Sequence, residues 1–221
     1  MIIGNGMLAK AFHDCKDVTI FASGVSNSLE EKEEEFQREE QLLCESVTTD
    51  LFVYFSSCSL QDPSVNQSAY CNHKLNMEKM IPSLMKKFNV FRLPQVVGKT
   101  NNQTVINFLF NKIKNGEHFE LWSGSYRNFI DVDDVVKIIT HIIQHQLVQN
   151  KVIDIAAPIN TSILTTVEII ESVLKKKADY TIMEKGLKYD IDSDFCSGIC
   201  KRLDIDFDDE YVERTIRKYY A

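Results

Sequence analysis

The chain has 221 residues, of which 44% are hydrophobic and 26% are charged, a composition typical of a globular protein with a sizeable core. Its net charge of −7 argues against a general nucleic-acid binder, because such proteins present basic patches to phosphates. No apolar run approaches the roughly 20 residues that span a bilayer, and residues 1–12 are typical of folded structure rather than of a signal peptide. We therefore expect a cytoplasmic protein with no nucleic-acid and no membrane partner.

Strands and helices alternate along the chain. The predicted strands are residues 1–4, 17–23, 50–57, 89–93, 118–122 and 152–157, with a short one near 179–184. The predicted helices follow the first strand to about residue 15 and then cover residues 28–45, 68–88, 104–116, 133–145 and 164–177, with one or two small helices in the tail. Strict alternation predicts a parallel sheet with helices on both faces.

The stretch SLEEKEEEFQREEQLLCE, residues 28–45, is the one run of charge. Ser28 is predicted to cap this helix, and acids in its first turn match the helix dipole. Its buried face is predicted from Leu29, Phe36, Leu42 and Leu43, and its glutamates are expected to form a solvated face.

The six cysteines are spread along the chain, which is typical of a reducing compartment rather than of a disulfide framework. Cys196 and Cys200 form a C-x3-C pair, but no second pair completes a metal site. His141 and His145 lack the acid of an H-E-x-x-H motif. We predict no metal site and structural roles for both pairs, with zinc binding as the alternative for the cysteines.

A glycine motif follows the first strand. Gly4, Gly6 and Ala9 form G-N-G-M-L-A at the start of a helix. The first glycine permits a tight turn, the second lets the backbone approach a phosphate, and the small third residue allows close helix packing. The free N–H groups at the start of the helix favour a pyrophosphate. The motif therefore predicts a dinucleotide site.

Tyr70 and Lys74 lie one helical turn apart in the stretch SAYCNHKLNMEKMI. A nearby ammonium favours the phenolate of a tyrosine, and such a tyrosine can exchange a proton with an alcohol oxygen while hydride moves at carbon. Ser56, Ser57 and Ser59 supply hydroxyls at the carboxyl end of the third strand, where ligands bind in open α/β sheets. Two polar residues on an ordinary amphipathic helix are the alternative.

In chain order, the glycine turn, VYFSS, AYCNHKLNMEKMI, FRLPQVVG and RNFIDVDDVVKII resemble the extended short-chain dehydrogenases/reductases of the NAD-dependent nucleotide-sugar epimerase/dehydratase type. VIDIAAPINTSILTTVEIIESV resembles the small C-terminal substrate lobe of that family. The resemblance implies an α/β, Rossmann-like fold. A cofactor-binding domain would cover residues 1–147, and a partly interleaved substrate lobe would cover residues 148–221.

The resemblance implies roles for individual residues. Tyr70 would be the general acid/base, and Lys74 would hold the nicotinamide ribose and lower the pKa of the phenol. Ser57 would hydrogen-bond the reacting oxygen, with capping of its strand as the alternative, and a slip of one residue would put Cys58 there. Arg127 would meet a substrate diphosphate, which suits a guanidinium fork; pairing with Asp131 or Asp133 is the alternative.

The implied cofactor is NAD or NADP. Its binding residues would be Gly4, Asn5, Gly6, Met7, Leu8, Ala22, Ser23, Lys74 and Pro94. The substrate would be bound by Ser57, Cys58, Gln95 and Arg127.

The sequence departs from the family on the adenosine side. No charged residue ends the strand VTIFAS, and this strand looks like the fourth of the family rather than the second. We therefore expect the second and third strands to be absent, which puts the first strand at the sheet edge and shortens the adenosine site. Either a partner or the substrate completes the pocket, or the protein binds a nucleotide sugar or a partner enzyme without turnover.

The activity that the resemblance implies is NAD(P)-dependent redox chemistry on a nucleotide-linked sugar, in the supply of sugars for surface polysaccharide. Epimerisation and keto-reduction remain open. Dehydration is the least expected, because Cys58 and Ser59 stand where dehydratases of the family place an acid pair. The resemblance also implies a homodimer through the helices at 28–46 and 68–88.

Overall fold

The computed structural model describes residues 1–13 and 16–221. It divides the chain into two compact units, Met1–Leu93 with Val132–Ile155, and Pro94–Asp131 with Ala156–Ala221. The roles expected for residues 1–147 and 148–221 concern function and stay predictions. Within the described ranges, no helix is both long enough and apolar enough to cross a membrane.

The described residues form ten strands and eight α-helices. The strands are β1 (Ile2–Ile3), β2 (Val18–Phe21), β3 (Leu51–Ser57), β4 (Phe88–Leu93), β5 (Gln95–Val97), β6 (Phe119–Trp122), β7 (Tyr126–Asp131), β8 (Lys151–Asp154), β9 (Asn160–Ser162) and β10 (Tyr180–Met183). The helices are α1 (Met7–Ala11), α2 (Glu33–Glu45), α3 (Ala69–Leu84), α4 (Val105–Asn115), α5 (Val132–Gln144), α6 (Ile163–Leu174), α7 (Asp194–Cys200) and α8 (Tyr211–Tyr220).

The first unit is built on a parallel sheet in the order β1-β2-β3-β4-β8. β1 pairs directly with β2, Ile2 opposite Ile20, and lies at the edge of the sheet. The sheet therefore confirms the predicted edge position of the first strand, with no strand between β1 and β2.

Helices cover both faces of this sheet, as predicted. Side chains alternate along β3, so Phe52 and Tyr54 face α2 and α3, where they join a core that includes Met77. Phe55 points to the opposite face and stacks on Phe12, with 5.5 Å between the ring centroids. Because both faces are covered, β3 is buried along almost its whole length.

The second unit combines short strands with α4, α6, α7 and α8. β7 pairs with β5 in parallel and with β9 antiparallel, and β6 pairs with β10 in parallel. Phe119, Leu121, Phe129 and Ile170 belong to its hydrophobic core. β5 and β9, of three residues each, were not predicted.

Three predicted helix boundaries are wrong. α1 ends at Ala11, well before residue 15, because the backbone of Phe12 is extended; residues 14 and 15 lie outside the described residues. α2 begins at Glu33 with Lys32 at its N-cap, so Ser28 caps nothing and Leu29 is 83% exposed. α3 ends at Leu84 because Phe88 already belongs to β4.

Candidate active site

The glycine turn after β1 packs against the end of β2. Gly4 has a φ of +124°, and a β-carbon there would collide with the carbonyl oxygen of Ala22. The Ala22 N–H donates to the carbonyl of Ile3 at 2.8 Å, which fixes this approach. Only glycine suits this position. The structure thus brings Gly4 beside Ala22 and Ser23, two segments that the sequence predicts to share a cofactor.

The opposite side of the turn is open. A β-carbon on Gly6 would meet no atom within 4 Å. Gly6 is the N-cap of α1, and no side chain caps this helix. The first-turn N–H groups, beginning with those of Met7 and Leu8, have no acceptor within the helix. Asn5 and Gly6 are exposed beside them, so the turn offers donors to a phosphate.

Tyr70 and Lys74 are not surface residues. α3 begins at Ala69 because the Ser68 hydroxyl accepts a hydrogen bond from the Cys71 N–H at 3.2 Å. This start places Tyr70 and Lys74 on the inner side of the helix, where they are 7% and 2% exposed.

The side chain of Ser57, the last residue of β3, lies next to the Tyr70 phenol and acts to lower its pKa. The Ser57 hydroxyl accepts from the Ser59 N–H at 3.1 Å, where a short 3-10 helix begins. Cys58 is buried elsewhere, with its thiol 3.4 Å from the Arg92 carbonyl. Which of Ser57 and Cys58 meets the reacting oxygen stays a prediction.

Lys74 has partners within the protein. Its Nζ donates to Glu39 Oε1 at 3.0 Å and to the Tyr54 hydroxyl at 2.9 Å. The same atom lies 5.9 Å from the centroid of the Tyr70 ring. A β-carbon on Gly24 would lie 2.8 Å from Nζ, so the bare backbone at Gly24 covers the ammonium.

Glu39 is fully buried at the centre of this network. Its carboxylate accepts from the Tyr54 hydroxyl and from the Val25 N–H, both at 2.6 Å, and lies 2.9 Å from His73 Nε2. We call Glu39, Tyr54, His73 and Lys74 the Glu39 cluster. The cluster joins α2, α3 and β3.

The cluster holds an ion pair. Burial raises the pKa of the Glu39 carboxyl, but the Lys74 ammonium and the hydrogen bonds from His73, Tyr54 and Val25 outweigh burial and bring it to about 2. Burial lowers the pKa of Lys74, and Glu39 opposes that change. Each charge is therefore balanced by the other.

Burial has the largest effect on the pKa of the Tyr70 phenol. Burial raises the pKa of Tyr70 to about 12, although the Ser57 side chain acts in the opposite direction, and the charge of Glu39 raises it further. The role of Lys74 in lowering this pKa during the reaction stays a prediction; in the structure its ammonium is paired with Glu39.

Three predicted site residues belong to the second unit. Pro94 follows β4, and Gln95 opens β5. Arg127 lies on β7, where its guanidinium donates to the backbone carbonyl of Tyr126 at 2.7 Å. Contacts of these three side chains with a cofactor or substrate stay predictions.

The model of the NAD dependent epimerase/dehydratase family matches residues 23–156, more than half of the chain. The chain belongs to this family. The match begins after β2, so the glycine turn lies outside the matched residues. A comparison with curated proteins found no match.

Solved structures share the fold of this family member. UDP-glucuronic acid 4-epimerase from Bacillus cereus, in complex with UDP-glucuronic acid and NAD, is 16% identical, with a TM-score of 0.71 over 92% of this chain and 74% of that chain. RMD from Pseudomonas aeruginosa, complexed with NADPH, is 15% identical, with a TM-score of 0.67 over 91% and 80%. These similarities show a Rossmann-like α/β fold.

Sequence reasoning missed most of the Glu39 cluster of this family member. Phe36, Glu39 and Leu43 are spaced three and four residues apart on α2 and are all buried. A carboxylate within such an apolar stripe is a signal of a buried partner. The sequence pattern places Tyr54 only within an apolar strand, although a buried phenol also needs a hydrogen-bonding partner.

Metal ligation has no support in the part of the chain that the structure describes, where no three His, Cys, Asp or Glu side chains are grouped to hold an ion. Cys196 and Cys200 are buried, with their sulfur atoms 3.9 Å apart. His141 and His145 stack with 4.3 Å between ring centroids.

Proposed function

We propose that this family member is an NAD(P)-dependent oxidoreductase or epimerase of a nucleotide-linked sugar, with Tyr70 as the general acid/base. The proposal is supported by the position of Ser57 at the carboxyl end of β3, next to Tyr70, because ligands of open α/β sheets bind at that edge. A UDP-N-acetylglucosamine 4-epimerase from Methanobrevibacter ruminantium M1 is 19% identical over 93% of this chain and 76% of that chain, with a TM-score of 0.61. Its structure holds UDP-N-acetylmuramic acid, which supports a nucleotide sugar as the substrate class.

The glycine turn fits the pyrophosphate of a dinucleotide, whereas the adenosine side of the site is short. The open side of Gly6 lets a pyrophosphate approach the backbone, and Ala22 and Ser23 lie beside the turn. NAD or NADP, when bound, would accept or supply the hydride. Glu39 and Tyr54 already accept from the Lys74 ammonium, so the predicted ribose contact would use its remaining N–H. The edge position of β1 leaves the adenosine side of the site short.

The substrate roles follow from chain position. Ser57 would hydrogen-bond the reacting oxygen together with Tyr70, and Arg127 would meet the diphosphate. Gln95 and Cys58 would contact the sugar. Dehydration stays the least supported reaction, because the expected acid pair is missing at Cys58 and Ser59.

The proposed setting is the cytoplasmic supply of sugars for surface polysaccharide. A homodimer through the helices at 28–46 and 68–88 also stays a proposal. The exposed side chains of α2 and α3 include Arg38, Asn72, Asn76 and Lys79, so this interface would be polar. Light scattering at micromolar concentration tests the dimer, and a monomer would contradict it.

The alternative is a protein that binds a nucleotide sugar or a partner enzyme without turnover. One observation favours it: Lys74 is 2% exposed and paired with Glu39, so it is not presented to a cofactor as the structure stands.

Calorimetric titration with NADH and NADPH distinguishes the NAD(P)-dependent enzyme from the protein that binds without turnover. Gly6→Val should weaken binding about tenfold or more, because its side chain would occupy the open side of the turn. Gly198→Val is the matched control, since a β-carbon there also meets no atom within 4 Å, and it should leave binding unchanged. Tyr70→Phe should bind cofactor like the wild type. No binding to a well-folded wild type at millimolar cofactor would contradict the enzyme.

Turnover is tested with UDP-linked hexoses and their 4-keto forms, by following NAD(P)H absorbance and the sugar products. Tyr70→Phe should lower kcat by about 100-fold or more, because it removes the exchangeable proton. Cofactor binding without turnover of any nucleotide sugar would favour the binding protein.

A further inference from the structure

The ammonium of Lys74 is held by two acceptors from different elements. Its Nζ donates to Glu39 Oε1 of α2 at 3.0 Å and to the Tyr54 hydroxyl of β3 at 2.9 Å, and Oε2 of the same carboxylate lies 3.4 Å away. The side chains of Lys74 and Glu39 are 3% and 0% exposed. Because the pair is buried, these two acceptors rather than bulk water stabilise the charge.

The two acceptors are themselves fixed. The Tyr54 hydroxyl donates to Glu39 Oε1 at 2.6 Å, so the phenol, the carboxylate and the Lys74 ammonium form a closed ring of hydrogen bonds. The other carboxylate oxygen accepts from the Val25 N–H at 2.6 Å and lies 2.9 Å from His73 Nε2. Glu39 cannot move without breaking these bonds, so its oxygens define one position for the ammonium.

We propose that Glu39 and Tyr54 are positioning residues, which keep the Lys74 ammonium charged and in one orientation for the bound cofactor. An ammonium has three N–H groups. When two of them point to fixed acceptors, tetrahedral geometry fixes the direction of the third, which is the one left for a cofactor hydroxyl. The inference rests on the proposed function, in which Lys74 contacts the nicotinamide ribose. Glu39 and Tyr54 touch neither cofactor nor substrate in it.

The surroundings of Lys74 make its charge depend on the carboxylate. The charged and titratable groups near it are Glu39 and Arg38 of α2, Tyr54 of β3, and Tyr70 and Glu78 of its own helix. Burial lowers the pKa of Lys74, and the charge of Glu39 has the largest opposing effect. Removal of this carboxylate should therefore leave an ammonium that loses its proton more readily.

Lysine titration tests the charge without cofactor or turnover. The protein is labelled with 15N at the lysine Nζ atoms and titrated by NMR, and Lys74→Met assigns the signal. The wild-type signal should be that of a charged ammonium at pH 7, and Glu39→Gln should lower its midpoint by about one unit or more. Tyr54→Phe keeps the carboxylate and should lower it less. A neutral wild-type Lys74 at pH 7, or an unchanged midpoint in a folded Glu39→Gln, would overturn the inference.

Calorimetric titration tests the consequence for the cofactor, with whichever of NADH and NADPH binds the wild type more tightly. Glu39→Gln should weaken binding about tenfold at pH 7, and the loss should grow toward pH 9 as Lys74 loses its proton. The wild-type affinity should stay nearly constant over this range. Glu171→Gln is the matched control, because it removes a carboxylate that is paired with Lys177 at 2.7 Å in the second unit, and it should leave the affinity unchanged.

A double-variant cycle separates positioning from a structural role. In the Lys74→Met background, Glu39→Gln should cause no further loss of cofactor affinity, because the lysine through which it acts is gone. A purely structural carboxylate would lower the affinity by the same factor in both backgrounds, and that result would overturn the inference. Where Glu39→Gln fails to fold, Tyr54→Phe takes its place. Its own loss should be about threefold and should also disappear beside Lys74→Met.

The cycle also distinguishes this inference from the proposed function. Cofactor binding to the wild type, with equal losses in both backgrounds, would keep the cofactor site and overturn only the roles of Glu39 and Tyr54. No binding of NADH or NADPH to a well-folded wild type would overturn both, because no cofactor would then meet the lysine.

Discussion

Each unit of the molecule contains a carboxylate bonded to a lysine and a tyrosine. In the first unit this is the Glu39 cluster. In the second unit the Asp131 carboxylate accepts from Lys218 Nζ and from the Tyr219 hydroxyl, both at 2.7 Å; we call these three residues the Asp131 cluster. The bond lengths are similar in the two clusters, but the Lys74 side chain is 3% exposed and that of Lys218 is 43% exposed.

This difference in exposure shows that the distance between two charges does not by itself decide how much an ion pair contributes to the free energy of unfolding. Water screens the charge of Lys218, so the Asp131 cluster mainly ties α8 to the end of β7. Lys74 is buried, so its loss of hydration must be offset by Glu39 and Tyr54. Substitution of Glu39 or Lys74 should therefore change both the free energy of unfolding and the electrostatic field at Tyr70.

The largest expected effect comes from removing the buried carboxylate. Glu39→Ala leaves Lys74 without its counter-charge and should lower the free energy of unfolding by about 3–5 kcal/mol, measured by urea denaturation. Asp131→Ala should cost about 1–2 kcal/mol, since Lys218 can turn to water.

The control for this prediction is the double variant Glu39→Leu with Lys74→Met. It replaces the buried pair by apolar groups and should recover most of the stability that Glu39→Ala loses. Equal losses for Glu39→Ala and Asp131→Ala would contradict the contrast between a buried and a screened pair.

The Glu39–Lys74 pair should also make the free energy of unfolding depend on pH in the acid range. The pKa of Glu39 is about 2 in the folded protein against an ordinary value of 4.5. The unfolded chain therefore binds a proton first as the pH falls, so this group stabilises the fold fully above about pH 5 and loses its contribution down to about pH 2. The contribution is on the order of 3 kcal/mol. It is measured as the free energy of unfolding at each pH.

Glu39→Gln provides the comparison. The slope of the unfolding free energy against pH reports how many more protons the unfolded chain binds than the folded one. Between pH 4.5 and 2 the slope of the variant should correspond to up to one proton fewer than that of the wild type. Above pH 5 the two slopes should be the same. Parallel curves over the whole range would mean that Glu39 titrates alike in the folded and unfolded chain.

Local patterns predicted much of this molecule. Apolar runs and their alternation located every strand of the first unit, whereas the edge position of β1 follows from the resemblance to the family, whose second and third strands the sequence lacks. The one-turn spacing of Tyr70 and Lys74 predicted a shared face, which is confirmed by their common burial. These features depend on residues close together in the chain.

The Glu39 cluster depends on residues far apart. Glu39 and Lys74 are 35 residues apart and belong to different helices, so local periodicity assigned one to a solvated face and the other to a cofactor. In the structure the Lys74 ammonium is bound to the Glu39 carboxylate. Local patterns also do not predict β9, because its three residues pair with β7, which lies more than 30 positions away in the chain.

The smallest expected effect comes from the exposed cation of the Asp131 cluster. Lys218→Met removes the charge and keeps most of the side-chain volume, so thermal unfolding followed by circular dichroism should show a loss of no more than about 1 kcal/mol. The difference should shrink between low salt and 1 M NaCl, because ions screen a half-exposed pair. Tyr219→Phe, which removes the other donor to Asp131, should cost a similar amount that does not depend on salt. A loss from Lys218→Met as large as that from Glu39→Ala would show that the second cluster is as poorly screened as the first.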